Sequence, residues 1–160
     1  MTTTAGLTPA ELTAWRSFLR AHAQISRTLE AELVTAHDLP LASYDVLVQL
    51  SEAPDRGLRM TELAERVLLS RSGLTRLVDR LERDDLVKRE ACPSDARGTR
   101  AVLTDAGLAR LRDAWPTHLH GVAEHVTGKL TPAEIDELGR LLGKLIDPDV
   151  PALGPCGGAG

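Results

Sequence analysis

Hydrophobic residues recur every three or four positions through much of the chain, which is the spacing of amphipathic helices. The first such segment, Pro9 to Ala36, follows a Thr-Pro-Ala-Glu sequence typical of a capping box, with Thr8 as the N-cap. The same sequence recurs at Thr131 and predicts a final helix that extends to Ile146. Another helix begins after Thr104, and Pro116 is expected to kink or end it, because proline lacks a backbone donor.

The middle of the chain has a different pattern of shorter elements. The predicted elements are a helix from Ala42 to Ser51, a very short strand at Leu58–Met60, a helix capped by Thr61 that runs to Leu68, a helix from Arg71 to Asp84, and strands at Leu86–Ala91 and Thr99–Leu103. A turn-rich segment, Cys92–Gly98, joins the last two strands into a hairpin. This order is typical of a winged helix-turn-helix. The predicted fold class is therefore mainly α with a small β-hairpin.

The position of the charged residues along the chain is more informative about a binding partner than the net charge. The 160-residue chain has a net charge of −4, which alone disfavours a nucleic-acid partner. Ser70 to Arg100, however, holds eight basic and six acidic residues, so the acidity lies elsewhere. None of the four aromatic residues falls in that segment, and single-strand or RNA binding normally uses aromatic stacking. Double-stranded DNA is the nucleic acid that remains.

The helix from Arg71 to Asp84 has two distinct faces. Leu74, Leu77, Val78 and Leu81 share one side, and the opposite side presents small donors and arginines. Arginine can bind guanine with two hydrogen bonds, and Ser or Thr can bind phosphates or base edges. Gly73 is expected to let the helix approach another surface closely. The predicted DNA-binding residues of this region are Thr61, Ser70, Arg71, Ser72, Thr75, Arg76 and Arg80.

The hairpin tip adds Asp95 and Arg97 to this prediction. Arginine is favoured in a narrow minor groove, where the negative potential is enhanced. Asp95 is placed to orient Arg97 by a hydrogen bond, whereas the alternative is an ordinary surface turn.

Two stretches of the sequence resemble the MarR family of bacterial transcription regulators. Asp95–Gly107 is similar to the family's Asp-x-Arg wing followed by Leu-Thr and a helix start of small residues, and Ser70–Glu82 is similar to its DNA-reading unit. The resemblance implies a cytoplasmic homodimer that binds a pseudo-palindromic operator, usually as a repressor. It implies dimerisation helices at residues 9–36 and 105–146 and a winged helix at 42–104. Residues 147–160 are expected to form a flexible tail.

Relatives in this family often bind small aromatic anions, so an effector pocket is a further hypothesis. Its predicted lining is Trp15, His22, Tyr44 and Trp115, although aromatic residues at helical spacing are more often core.

Three alternatives remain open for the function. One is a regulator of the same fold that responds to a metal, with His118, His120 and His125 as ligands, and another is one that responds to a thiol change at Cys92. The third is a winged helix used only for protein contacts. No enzyme motif, cofactor site, metal site or membrane segment is expected from the sequence. With only two cysteines, a reducing compartment is the default.

Overall fold

The computed structural model describes residues 6–67, 69–92 and 95–147, without the side chains of residues 95–97. The helices are α1 (Pro9–His37), α2 (Leu41–Glu52), α3 (Met60–Arg66), α4 (Arg71–Arg83), α5 (Asp105–His125) and α6 (Pro132–Gly143). The strands are β1 (Gly57–Arg59), β2 (Val87–Cys92) and β3 (Asp95–Leu103), and short 3-10 turns occupy Pro54–Arg56 and Thr127–Lys129. The described part is thus mainly helical with one small sheet, which confirms the predicted fold class.

Both predicted capping boxes are present. The Thr8 hydroxyl accepts a hydrogen bond from the Glu11 backbone N–H, and the Glu11 carboxylate accepts one from the Thr8 N–H. Thr131 and Glu134 make the same reciprocal pair at the start of α6. Each pair satisfies donors that the first turn of a helix otherwise leaves without a partner.

Two predictions of local structure are wrong, at the start of α3 and at the end of α6. Thr61 does not cap α3: the N-cap is Arg59, because β1 runs to that residue and the chain passes directly from strand into helix. Of the two outcomes expected at Pro116, a kink or an end, the helix does not end there, because α5 continues to His125. Buried residues on both sides of the proline, Ala114 and Gly121, keep the helix packed and offset the missing backbone bond. The last helix ends at Gly143 rather than Ile146.

The hairpin is longer than the sequence pattern indicated. β3 begins at Asp95, within the segment predicted as a turn, because Cys92 pairs with Asp95 across the ladder. Only residues 93 and 94 then lie between the two strands. The sheet is antiparallel in the order β1-β3-β2, so that Ala101 at its centre pairs with both Leu58 and Arg89.

The core lies beneath the sheet and α4. Buried apolar side chains from α2, α3, α4 and the strands form one cluster, to which α1 contributes Leu33 and α5 contributes Leu111 and Ala114. Burial of such side chains is the main favourable contribution to folding. The winged helix and the ends of α1 and α5 are therefore one packed unit.

The junction between β3 and α5 fixes the base of the hairpin. Thr104 caps α5 by accepting from the Gly107 N–H at 2.9 Å, and its hydroxyl donates to the Asp85 carbonyl at 2.6 Å. A β carbon on Gly107 would overlap the carbonyl oxygen of Leu86. The small-residue start of α5 is thus required by a close backbone approach.

The C-terminal half of α1 packs antiparallel to α5. His37 Nε2 lies 2.8 Å from Thr117 Oγ1, and His125 Nε2 lies 2.6 Å from Glu32 Oε1. The N-terminal half of α1 extends beyond these contacts and is exposed. Helix α6 has no buried residue.

Candidate nucleic-acid interface

Helix α4 presents the two faces that the sequence predicted. Leu74, Leu77, Val78 and Leu81 are buried in the core. The residues predicted to contact DNA on this helix and at its N-cap are all exposed: Ser70, Arg71, Ser72, Thr75, Arg76 and Arg80. Among the residues that the structure describes, the guanidinium groups of Arg71, Arg76 and Arg80 make no ion pair with a carboxylate. Three cations on this face are thus accessible to an anionic partner.

The start of α4 depends on a compact cap. The Ser70 hydroxyl accepts a hydrogen bond from the Gly73 N–H at 3.1 Å and lies 3.3 Å from the Ser72 hydroxyl. A β carbon on Gly73 would lie 3.1 Å from the Ser70 oxygen, which is tighter than most such contacts. Gly73 therefore makes room for the cap itself, whereas the sequence suggested only an approach to another surface.

An arginine on the neighbouring strand ties α4 to the hairpin. Arg89 of β2 donates to Asp79 Oδ1 at 2.6 Å and to Glu82 Oε2 at 2.5 Å. It also donates to the Thr75 carbonyl at 3.3 Å, and its backbone N–H donates to Glu82 Oε1 at 3.1 Å. Partial burial lowers the pKa of Arg89, but the hydrogen bonds and charges of the two carboxylates outweigh it, so that the pKa rises above its ordinary value.

A cleft of about 480 Å³ lies where β1, α3, α4 and the hairpin strands meet. Thr61 and Thr75 lie on its walls with Arg59, Arg89 and Thr99. Thr61 is exposed, as a residue that contacts DNA must be. The side chains of Asp95 and Arg97 lie outside the described residues, so their predicted hydrogen bond and groove contact stay predictions.

The four residues of the predicted effector pocket do not come together in the single chain. Trp15 is 53% exposed and stacks on Phe18 at a ring separation of 6.1 Å, and His22 is exposed on the same helix. Tyr44 is only 2% exposed and contacts the His118 ring at 4.5 Å, while Trp115 packs against the core. Trp15 and His22 lie on the exposed N-terminal half of α1, called the free half below. Tyr44 and Trp115 lie in or against the core.

The histidines and cysteine behind the sensor alternatives also have separate surroundings. His118 faces Tyr44, and desolvation lowers the pKa of its imidazole. His125 pairs with Glu32, and His120 lies 3.3 Å from Glu124. Cys92 is a buried free thiol, and Cys156 lies outside the described residues. Within the described ranges, no three His, Cys, Asp or Glu side chains are grouped as a metal would require.

The sequence and fold match those of known transcription regulators. The sequence model of the MarR family matches residues 37–98. A MarR family transcriptional regulator from Streptomyces coelicolor, Sco3205, solved in complex with DNA, has a similar structure, with a TM-score of 0.84 and 38% identity. That match covers 96% of this chain and 98% of Sco3205.

The chain belongs to the MarR family.

Curated relatives from Bacillus subtilis (strain 168) have similar sequences over a shorter length. The HTH-type transcriptional regulator MhqR is 32% identical over 57% of this chain, and the HTH-type transcriptional repressor YetL is 33% identical over 65%. This chain spans 61% and 62% of those two proteins, respectively. The relatives of this MarR chain are thus transcription regulators. Among its described residues, no helix combines the length and apolarity needed to cross a membrane.

One residue that joins α4 to the hairpin in this MarR protein, Arg89, was not predicted from the sequence. The spacing of apolar residues gives no information about a charged strand residue such as Arg89. Its partners, Asp79 and Glu82, lie on a different element. The one indication in the sequence was the i, i+3 spacing of Asp79 and Glu82. Residues at this spacing are neighbours on the helix surface, so one cation from another element can bind both carboxylates.

Proposed function

We propose that this protein is a homodimeric transcription regulator that binds a pseudo-palindromic operator in double-stranded DNA. Helix α4 reads the major groove, and the hairpin around residues 92–98 enters the minor groove. The observation that carries the proposal is the exposed face of α4, on which three arginines have no carboxylate partner among the described residues. Arginine on an exposed recognition helix can bind guanine edges or phosphates.

The geometry of the face supports direct reading of bases. Its hydroxyl donors and arginines lie within the first ten residues of α4 or at its cap. In helix-turn-helix proteins, the N-terminal part of the recognition helix contacts the base edges. The similarity to Sco3205, solved in complex with DNA, favours the same mode.

Exposed apolar surface supports the homodimer. No residue of α6 is buried, although Ile135, Leu138 and Leu141 lie on it. Trp15 and Phe18 leave a second apolar area on the free half of α1. Exposed apolar areas of this kind are typical of an interface, and a second copy of the chain is the occupant that the family favours. Two copies would place their α4 helices about one turn of DNA apart, roughly 10–11 bp.

Repression is the sign of regulation that we propose, since a bound dimer covers promoter DNA and YetL is a repressor. A small aromatic or anionic effector is a further part of the proposal. Within one chain, Trp15 and His22 are remote from Tyr44, so a pocket with all four predicted residues requires the free half of α1 from a second copy.

The test begins with selection of bound duplexes from a random pool. Affinity for the selected duplex is then measured at several salt concentrations for the wild type, Arg76→Ala and Arg20→Ala. Arg76 lies on the proposed reading face, whereas Arg20 is an exposed arginine on α1 and serves as the matched control. Loss of a base contact should weaken binding roughly 5- to 100-fold and relax specificity at one position. Arg20→Ala should bind like the wild type.

The wing is tested in the same assay. Arg97→Ala should weaken binding and reduce the slope of log affinity against log salt by about 0.9, because one groove or phosphate cation is lost. Unchanged affinity and slope would contradict the wing assignment. Failure of the wild type to enrich any duplex would contradict DNA binding and favour the protein-contact module.

A further inference from the structure

We propose that Arg89 is a positioning residue for the recognition helix: it holds α4 at a fixed angle to the hairpin and neutralises two carboxylates that would otherwise face the DNA. This inference deepens the proposed function and rests on it. Arg89 lies on β2, outside the face that reads the bases. Its role is assigned from its contacts with α4.

The contacts of Arg89 span about two turns of α4, from Thr75 to Glu82. Its guanidinium donates to Asp79 and Glu82 through different nitrogens, and the Asp79-bonded nitrogen also reaches the Thr75 carbonyl. The backbone N–H of Arg89 completes the set through the other oxygen of Glu82. A planar guanidinium fixes direction as well as distance, which a single ammonium does not. The arrangement therefore sets how α4 is rotated relative to the hairpin.

The rotation of α4 about its axis matters for the proposed function, because Arg89 binds the helix at Thr75, a residue of the reading face. Thr75 is exposed on the proposed reading face, and its carbonyl is one of the groups that Arg89 binds. Arg76 follows directly in the sequence and shares that face. A recognition helix that rotates by about ten degrees moves the ends of such long side chains by roughly an ångström or more, which base reading does not tolerate.

The second part of the role is electrostatic. Asp79 and Glu82 are exposed and lie among the four arginines of α4. Unpaired, their two negative charges would repel phosphates and compete for Arg76 and Arg83. The Arg89 side chain is 25% exposed, so its attraction to the two carboxylates is less screened than that of a fully exposed pair. The pairing keeps both carboxylates on the hairpin side of α4.

The experiment is a mutant cycle that separates positioning from direct phosphate contact. Arg89→Met is compared in the wild-type background and in the double variant Asp79→Asn/Glu82→Gln, with affinity for the selected duplex and for a scrambled duplex measured over a salt series. Lys88→Met is the matched control, since Lys88 is an exposed cation on the same strand that pairs with Glu90 instead of α4. Circular dichroism records folding of each variant.

We expect Arg89→Met to weaken binding to the selected duplex about tenfold in the wild-type background and about threefold or less in the double variant. In the double variant the salt slope should not change. Arg89→Lys should retain part of the affinity, because lysine keeps the positive charge but lacks the planar set of N–H donors that binds both carboxylates. If Arg89→Met does not fold, Arg89→Lys is taken through the same cycle and should lose specificity for the selected over the scrambled duplex.

Three results would overturn the inference. Equal losses in both backgrounds, with the salt slope reduced by about 0.9 in each, would make Arg89 a phosphate contact. Unchanged affinity of Arg89→Met, or a loss no larger than that of Lys88→Met, would remove its role while leaving DNA binding intact. A wild type that binds no duplex would instead refute the proposed function, and this inference with it.

Discussion

Replacing Thr104 with valine tests whether one hydroxyl group joins the hairpin to α5. Valine has nearly the shape of threonine and the same branched β carbon, so the change removes the hydroxyl and little else. The hydroxyl accepts from the Gly107 N–H at 2.9 Å and donates to the Asp85 carbonyl at 2.6 Å. Both partners lose their bond when valine is present.

The expected cost follows from these two bonds. Loss of an N-cap hydroxyl costs about 1 kcal/mol. Loss of the bond to Asp85 costs a further ~0.5–1 kcal/mol, at the lower end of the usual range because water can reach this turn. The total of roughly 1.5–2 kcal/mol corresponds to a fall in Tm of about 4–8 °C for a chain of this size.

The assay is thermal and urea unfolding followed by circular dichroism at one protein concentration, since the Tm of an oligomer depends on concentration. Thr104→Ser keeps the hydroxyl and should lose less than half as much free energy of unfolding as Thr104→Val. Thr99→Val is the control at an exposed threonine of β3, the strand that precedes Thr104, and should stay within about 0.5 kcal/mol of the wild type. A Thr104→Val protein as stable as the wild type would refute the reasoning, as would equal losses for the serine and valine variants.

Three further changes test other parts of the molecule. Asp45 is exposed as a residue, but neighbouring atoms desolvate its carboxyl group, and this desolvation and, secondly, the Glu30 carboxylate raise its pKa from 3.8 to about 6. The stability that its protonated form contributes is therefore complete below pH ~4 and lost as the pH rises through ~6. Relative to Asp45→Asn, the wild type should therefore become less stable between these pH values, by less than ~1 kcal/mol because the residue is accessible to solvent; urea unfolding at the two pH values measures this. Leu138→Glu should convert the proposed dimer to a monomer in size-exclusion chromatography with light scattering, and an unchanged mass would place the interface elsewhere. Gly107→Ala should lower the free energy of unfolding by about 1–3 kcal/mol through its overlap with Leu86, and a stabilised variant would show that the helix start has room.

Elements that depend on neighbouring residues in the sequence were predictable. Both capping boxes follow from four consecutive residues, and the buried side of α4 follows from a helical period that four apolar residues obey. The exposed face of α4 is the complement of that period. The predicted reading residues are therefore exposed because their positions are fixed by a local rule.

Features that depend on contacts between distant elements were not predictable. Pro116 usually ends a helix, but packing of α5 on α1 and the core keeps it helical here. The proposed role of Arg89 requires knowing that Ala101 pairs with it, which turns its side chain toward α4. The four residues predicted for the effector pocket are not brought together within one chain, and aromatic content does not reveal that Trp15 lies about 21 Å along α1 from Leu29, which packs beside Gly121 of α5.

The ion pairs of the winged helix determine which of its charged residues remain available to a partner. Counted by sequence, the segment from Ser70 to Arg100 has only a small basic excess. In the structure, Arg89 pairs with the carboxylates of Asp79 and Glu82, and Lys88 pairs with Glu90. The acidic residues at 84 and 85 follow the C-terminal end of α4, whereas the α4 arginines without an ion pair among the described residues are Arg71, Arg76, Arg80 and Arg83. The positive charge that is not paired within the chain therefore lies along α4, the helix proposed to read the bases, so the net charge of the whole chain says little about how this face would meet DNA.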